Sequence, residues 1–81
     1  MNIFVANLNF KVQNDGLKKL FETYGEVSLA KVVMDKTTGR SKGFGFVEMP
    51  NDVEGKAAIS NLNNQEEFGR ALVVKEALPK E

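Results

Sequence analysis

The 81-residue sequence predicts an α+β fold in which a four-stranded antiparallel sheet carries two helices on one face. Three observations support this prediction. Two segments have apolar residues at helical spacing, and four segments have the apolar pattern of strands. The segments follow one another as strand, helix, strand, strand, helix, strand. Two strand–helix–strand halves in this order form a split βαβ sandwich, in which the second face of the sheet is left uncovered.

The first half begins with a strand and a helix. Residues 2–7 form the predicted strand, and Phe4 points away from the helices because its aliphatic neighbours on both sides point inward. The helix is indicated by apolar residues at i, i+3, i+4 and i+7, which share one face; they are Leu17, Leu20, Phe21 and Tyr24. We expect this helix to begin near residues 13–14 and to end at Gly25, since glycine often terminates helices.

A pair of strands follows. The first is predicted at residues 27–34, with its inward side chains expected to be Ala30, Val32 and Met34. Residues 35–41 are polar and contain glycine, as is typical of a loop. Residues 42–49 form the next strand. The two strands are therefore expected to pair as a hairpin.

The second half ends with a helix and a strand. Residues 50–52 are expected to cap the helix, whose buried stripe is Gly55, Ala58, Ile59 and Leu62. The helix is expected to stop at residues 63–64, two asparagines that tolerate a left-handed backbone. The last strand is predicted at residues 71–76, with Leu72 and Val74 inward.

Residues 42–49 carry the most informative pattern, Lys-Gly-Phe-Gly-Phe-Val-Glu-Met. Alternate side chains of a strand point to opposite faces, so that one face carries Lys42, Phe44, Phe46 and Glu48. Burying the two charges would be costly, and Val47 and Met49 on the other face already supply a core side. The two phenylalanines are therefore expected on the open face. A cation beside exposed rings suits the stacking of unpaired bases and contact with a phosphate.

Residues 42–49 resemble the longer ribonucleoprotein signature of the RNA-recognition motif family, basic-Gly-aromatic-Gly/Ala-Phe-Val-any-aromatic. Met49 replaces the last aromatic residue, on the inward side of the strand. Residues 3–8, Ile-Phe-Val-Ala-Asn-Leu, are similar to the shorter signature of the same family. The two signatures occur in the right order with a helix and a strand between them, which makes the resemblance specific. It covers nearly the whole chain and is greatest to the small single-module RNA-binding proteins of bacteria.

The resemblance implies a ferredoxin-like sandwich in which the strands that carry the two signatures lie side by side in the middle of the sheet. It also implies single-stranded RNA as the partner, with Phe4 and Phe46 each stacking one base. Phe44 would pack against the ribose between them, and Lys42 would pair with a phosphate. The remaining candidate contacts are basic residues expected around the rings, namely Lys31, Arg40 and Lys75.

Four aromatic residues lie outside the two signatures. Phe21 and Tyr24 complete the stripe of the first helix and are predicted to be core residues. Phe10 and Phe68 fall in predicted loops, and we expect them to fill the edges of the core.

Two alternative functions are compatible with this fold. One is a protein-interaction module, although relatives that bind peptides usually lose the aromatic residues of the sheet. The other is a general single-stranded nucleic-acid binder that acts as an RNA chaperone. This second alternative differs from specific RNA binding mainly in its selectivity. A comparison of RNA and DNA of the same sequence would separate the two, because only RNA carries the 2′-hydroxyl.

Composition limits the remaining possibilities. The 11 basic and 11 acidic residues give a net charge of zero, which argues against broad binding to duplex nucleic acid. The sequence has no His and no Cys, and no acid and base that spacing would bring together. We therefore predict no enzymatic activity, no metal or other cofactor and no small-molecule substrate. Without a long apolar run or a signal peptide, we expect a cytoplasmic protein that does not associate with membranes. We expect residues 1–81 to form a single monomeric domain.

Overall fold

Two helices lie on one face of a four-stranded antiparallel sheet in the computed structural model of this chain, which describes residues 1–77. In chain order the elements are β1 (Asn2–Ala6), α1 (Asn14–Glu22), β2 (Leu29–Met34), β3 (Ser41–Glu48), α2 (Asp52–Leu62), β4 (Glu66–Glu67), β5 (Arg70–Ala71) and β6 (Val73–Ala77). The strands of the main sheet are arranged in the order β2-β3-β1-β6. The predicted fold class is confirmed, and the two strands that carry the signatures, β1 and β3, lie side by side in the middle of the sheet as expected. Residues 78–81 of the predicted domain lie outside the described residues.

The core lies between the helices and the inward face of the sheet. Ile3 and Val5 of β1 are fully buried, as are Leu17 and Phe21 of α1. The remaining members of the two helical stripes are buried or partly buried against them; they are Leu20, Tyr24, Gly55, Ala58, Ile59 and Leu62. The helical and strand periods in the sequence therefore predict the inward faces of β1 and of both helices correctly, because each period places its apolar residues on one side.

Asparagines mark both ends of α2, whereas the N-terminus of α1 has no side-chain cap. The backbone N–H of Glu54 donates to the side-chain oxygen of Asn51, which caps α2 at 3.0 Å. Asn64, just after α2, has a positive φ of 67°, as expected for a helix stop. α1 ends at Glu22, before the expected Gly25. Within residues 1–77, neither helix has the length and apolar composition needed to cross a membrane.

The strand β2 differs from the prediction at its C-terminal end. Met34 was expected to point inward, but it is 48% exposed. The pairing shifts between Val32, which lies opposite Gly45, and Met34, which lies opposite Ser41. Two extra residues of β3 are accommodated in this interval, where Gly43 has a φ of 81°. Met34 therefore lies at the irregular end of the β2–β3 pairing, beside Gln13 and Asn14 at the start of α1, and outside the buried core.

A short hairpin precedes the last strand and was not predicted. β4 and β5 pair through Glu67 and Arg70, and the two residues between them, Phe68 and Gly69, have φ values of 55° and 82°. Positive φ at both central residues is the signature of a type I′ turn. Phe68 is 41% exposed, so the expectation that it fills the core edge is wrong.

Candidate nucleic-acid interface

Three phenylalanine rings form a cluster on the open face of the sheet. They come from β1, which carries Phe4, and from β3, which carries Phe44 and Phe46. The ring centroid of Phe4 lies 5.5 Å from that of Phe46 and 5.8 Å from that of Phe44, while Phe44 and Phe46 are 6.4 Å apart. These separations are typical of interacting aromatic pairs. The three rings therefore form one continuous apolar surface that remains partly open to solvent.

The strand register places a lysine at each end of a row through this cluster. Phe4 and Phe46 are direct cross-strand partners. On the side away from Phe4, Phe46 is paired with Lys31 of β2. On the side away from Phe46, Phe4 is paired with Lys75 of β6. Four neighbouring strands at about 4.8 Å spacing make this row about 14 Å long. Both lysines are exposed, so strand parity places them correctly beside the rings.

Lys42 and Arg40 lie at the end of the sheet where β3 begins. Lys42 shares one shallow depression with Phe4 and Phe44. Arg40 does not line that depression; it lies in a neighbouring concavity, which Lys42 also lines. The structure thus places Lys42 beside Phe4 and Phe44, and Arg40 farther from these rings.

Gly43 and Gly45 of the longer signature are each required by the local structure, for different reasons. A Cβ atom on Gly45 would lie 2.5 Å from the backbone carbonyl oxygen of Lys31, so any side chain here would push β2 and β3 apart. Gly43 has a φ of 81°, and a Cβ atom there would lie 3.2 Å from the ring of Phe10. The glycines allow the bulge and the close strand contact that hold the phenylalanine rings in place.

Phe10 is the residue near the site whose burial was predicted wrongly from the sequence. It was expected to fill an edge of the core, but it is 62% exposed. The apolar residues on either side of it in the loop, Leu8 and Val12, take the buried positions instead, with 1% and 5% exposure. The guanidinium carbon of Arg70 lies 5.7 Å from the centroid of the Phe10 ring. Leu8 and Val12 anchor the loop on both sides of Phe10, and no periodic pattern in the loop indicates which of its apolar residues are buried.

The loop between β2 and β3 is ordered by one carboxylate. The backbone N–H groups of Thr37 and Thr38 donate to Oδ1 of Asp35 at 2.7 and 3.3 Å. These two hydrogen bonds lower the pKa of Asp35, and the charge of Lys42 lowers it slightly further. The backbone N–H of Asp35 also donates to the carbonyl oxygen of Arg40 at 2.7 Å. The loop therefore has a defined conformation that positions Arg40.

Comparison with known proteins is consistent with this geometry. The model of the RNA recognition motif family matches residues 3–73. The chain belongs to the RNA recognition motif family. Among the similar proteins, RbpE of Nostoc sp. is 44% identical over 81 residues, which cover all of this chain and 82% of RbpE. The 29 kDa ribonucleoprotein A, chloroplastic, of Nicotiana sylvestris is 46% identical over the whole chain, which covers 30% of that protein.

Solved structures share the fold of this RNA recognition motif closely. The crystal structure of RNA binding protein PG1 superposes with a TM-score of 0.96 at 49% identity, covering 100% of this chain and 98% of that one. A complex of the Sxl-lethal protein with RNA superposes with a TM-score of 0.89 at 36% identity, covering 94% of this chain and 47% of the other. The expected likeness to bacterial members of the family is confirmed by RbpE.

Proposed function

We propose that this RNA recognition motif binds single-stranded RNA on the open face of the main sheet. Phe4 and Phe46 each stack one base, Phe44 packs against the ribose between them, and Lys42 contacts a phosphate. The observation that carries the proposal is the direct pairing of Phe4 with Phe46, whose centroids are 5.5 Å apart on an open sheet face. Every base has a flat aromatic face, so two adjacent rings can hold two bases of many sequences.

The inclination of the rings favours an unpaired strand. The planes of Phe4 and Phe46 are inclined by 53° to each other. Two bases that each stack on one of these rings are then also inclined to each other and cannot keep the parallel stacking of a duplex. Unpaired RNA allows its bases to be splayed in this way, whereas a duplex does not.

The surrounding charges suit a backbone that crosses the sheet. Lys31 and Lys75 stand at the two ends of the ring row, and Lys42 lies beside Phe4 and Phe44. Lysine is a flexible point charge suited to phosphate contact. Because the net charge of the chain is zero, stacking supplies most of the affinity and these lysines orient the strand.

The names of similar proteins support RNA as the nucleic acid that this chain binds. PG1 is named an RNA binding protein, and the Sxl-lethal structure is a complex with RNA. We propose that the protein binds RNA without catalysing a reaction and without a small-molecule substrate. We further propose that residues 1–81 form one monomeric domain that acts in the cytoplasm. The absence of His and Cys from the sequence supports the non-catalytic part of this proposal.

A map of amide chemical shifts on titration with RNA tests the proposal. With a six-nucleotide RNA of mixed sequence, we expect shifts within residues 3–6, 31–33, 42–48 and 73–77. The exposed surface of α1 around Lys18 should not shift. A map centred on the helices would instead favour a protein-interaction module. Equal affinity for DNA of the same sequence would favour a general single-strand chaperone, because only RNA offers the 2′-hydroxyl.

A further inference from the structure

Phe10 is an exposed aromatic residue on a loop that is anchored on both sides of it. Its exposed fraction is 62%, while Leu8 and Val12 on either side are buried. The backbone N–H of Leu8 donates to the carbonyl oxygen of Gly43 at 2.8 Å, which ties the loop to β3. The loop is thus held without the Phe10 ring, and most of the ring surface is open to a ligand.

The loop and the β4–β5 hairpin hold each other in place. The side-chain amide of Asn7 donates to the carbonyl oxygen of Ala71 at 2.7 Å. The side-chain amide of Asn9 donates to the carbonyl oxygen of Phe68 at 3.1 Å. These contacts bring Arg70 over the ring of Phe10, 5.7 Å from its centroid. The pair is thus positioned before any ligand binds, which lowers the entropic cost of binding.

Phe10 stands between the aromatic face and a basic concavity. On one side it shares a depression of about 290 Å³ with Phe4, Phe44 and Lys42. On the other side it lines a concavity with Lys11 and Arg40. An RNA strand that leaves the rings at this end of the sheet therefore meets Phe10 next and then two further cations.

We propose that Phe10 and Arg70 form an additional nucleotide-binding site for unpaired RNA beside the sheet face. Phe10 stacks one base, and Arg70 adds its charge and its planar guanidinium group to the same platform. Both groups are of the kind on which splayed bases stack. This inference rests on the proposed function, since it extends the same strand by at least one nucleotide beyond the two held by Phe4 and Phe46.

A comparison of two RNA lengths tests the site. Two-nucleotide and six-nucleotide RNAs of randomised sequence are titrated into the wild-type protein, Phe10→Ala, Arg70→Gln and Phe68→Asn. Phe10→Ala should raise the Kd of the six-nucleotide RNA by about five- to 150-fold, and leave that of the two-nucleotide RNA unchanged. Arg70→Gln should weaken only the longer RNA in the same way.

Phe68→Asn is the matched control. Phe68 is also an exposed phenylalanine of this region, but it lines a different concavity with Asp15 and Gly16 of α1. Asparagine tolerates the positive φ at this position, so neither Kd should change. A six-nucleotide Kd that is the same for Phe10→Ala and wild type would overturn the additional site while leaving the sheet site intact. Failure of both RNAs to bind the wild-type protein would overturn the proposed function and this site with it.

Discussion

Phe4 and Phe46 are direct partners across β1 and β3, and their ring centroids are 5.5 Å apart at an inclination of 53°. The pairing follows from the strand register, which aligns the two signatures, and from the parity that turns both rings outward. A slip of one residue would send one ring to the helical face. The geometry of the proposed RNA site is therefore a property of the sheet itself, and the loops add to it.

The salt dependence of RNA binding should be shallow. Among residues 1–77, few cations lie beside the open face, namely Lys31, Lys42 and Lys75, with Arg40 farther away. Single-strand affinity falls with a slope of about −0.7 per neutralised phosphate in log–log form. One to three contacts give a slope of roughly −0.7 to −2. Titrations from low to high salt will measure it. A slope steeper than about −4 would mean that the protein contacts RNA through a further basic surface.

Lys42→Ala should flatten that slope by somewhat less than one unit, because one phosphate contact is lost. It should weaken different RNA sequences about equally, since a phosphate carries no base information. Lys18→Ala, on the exposed surface of α1, is the charge-matched control and should leave the slope unchanged. A change in base preference on Lys42→Ala would mean that Lys42 reads a base.

Gly45→Ala should destabilise the fold, whereas Gly16→Ala should not. At Gly45 the added Cβ would meet the backbone oxygen of Lys31 at 2.5 Å, and the cost of such overpacking is about 1–3 kcal/mol. At Gly16, in the first turn of α1, the nearest atom would be Val12 Cγ1 at 3.8 Å, an ordinary contact. There alanine should stabilise the protein by about 0.4–1 kcal/mol. Urea unfolding of both variants measures the difference, and equal effects would contradict the close β2–β3 contact.

The contribution of Asp35 to stability should depend on pH in the acid range. Hydrogen bonds from Thr37 and Thr38 lower the pKa of Asp35 in the folded protein below its value in the unfolded chain, about 3.9. Its stabilising effect is therefore fully present above that value and is lost as the pH falls through the lower, folded-state pKa. Asp35→Ala should lower the melting temperature at pH 7, and the deficit should shrink as the pH falls below about 4. A deficit that is the same at pH 7 and pH 2 would contradict this role.

The parts of the fold that follow a strict period could be predicted from the sequence. The alternation in residues 42–49 places Phe44 and Phe46 outward, and the same parity places Lys31 beside them, as the structure has it. These predictions succeed because burial on one face specifies the register. The roles of these residues in binding RNA remain predictions.

The parts that depend on irregular backbone could not be predicted in this way. Met34 lies outside the core at the irregular end of the β2–β3 pairing, and such an irregularity has no periodic signal in the sequence. The β4–β5 hairpin was missed because phenylalanine is unusual at the positive φ that Phe68 adopts. Phe10 was misplaced because the burial of a loop aromatic depends on which neighbours reach the core first, here Leu8 and Val12.

RNA binding on the open sheet face is tested most directly by the affinities of Phe46→Ala and Phe4→Ala for RNA, measured together with their free energies of unfolding. Each substitution should weaken binding by about 1–3 kcal/mol, the value of one base–aromatic stack, and leave the fold stable. Phe21→Ala, at a fully buried position of α1, is the control and should instead lower the free energy of unfolding by about 3–5 kcal/mol. If Phe46→Ala or Phe4→Ala behaves like this core variant, or if both bind RNA as tightly as the wild-type protein, the open sheet face is not the RNA-binding surface.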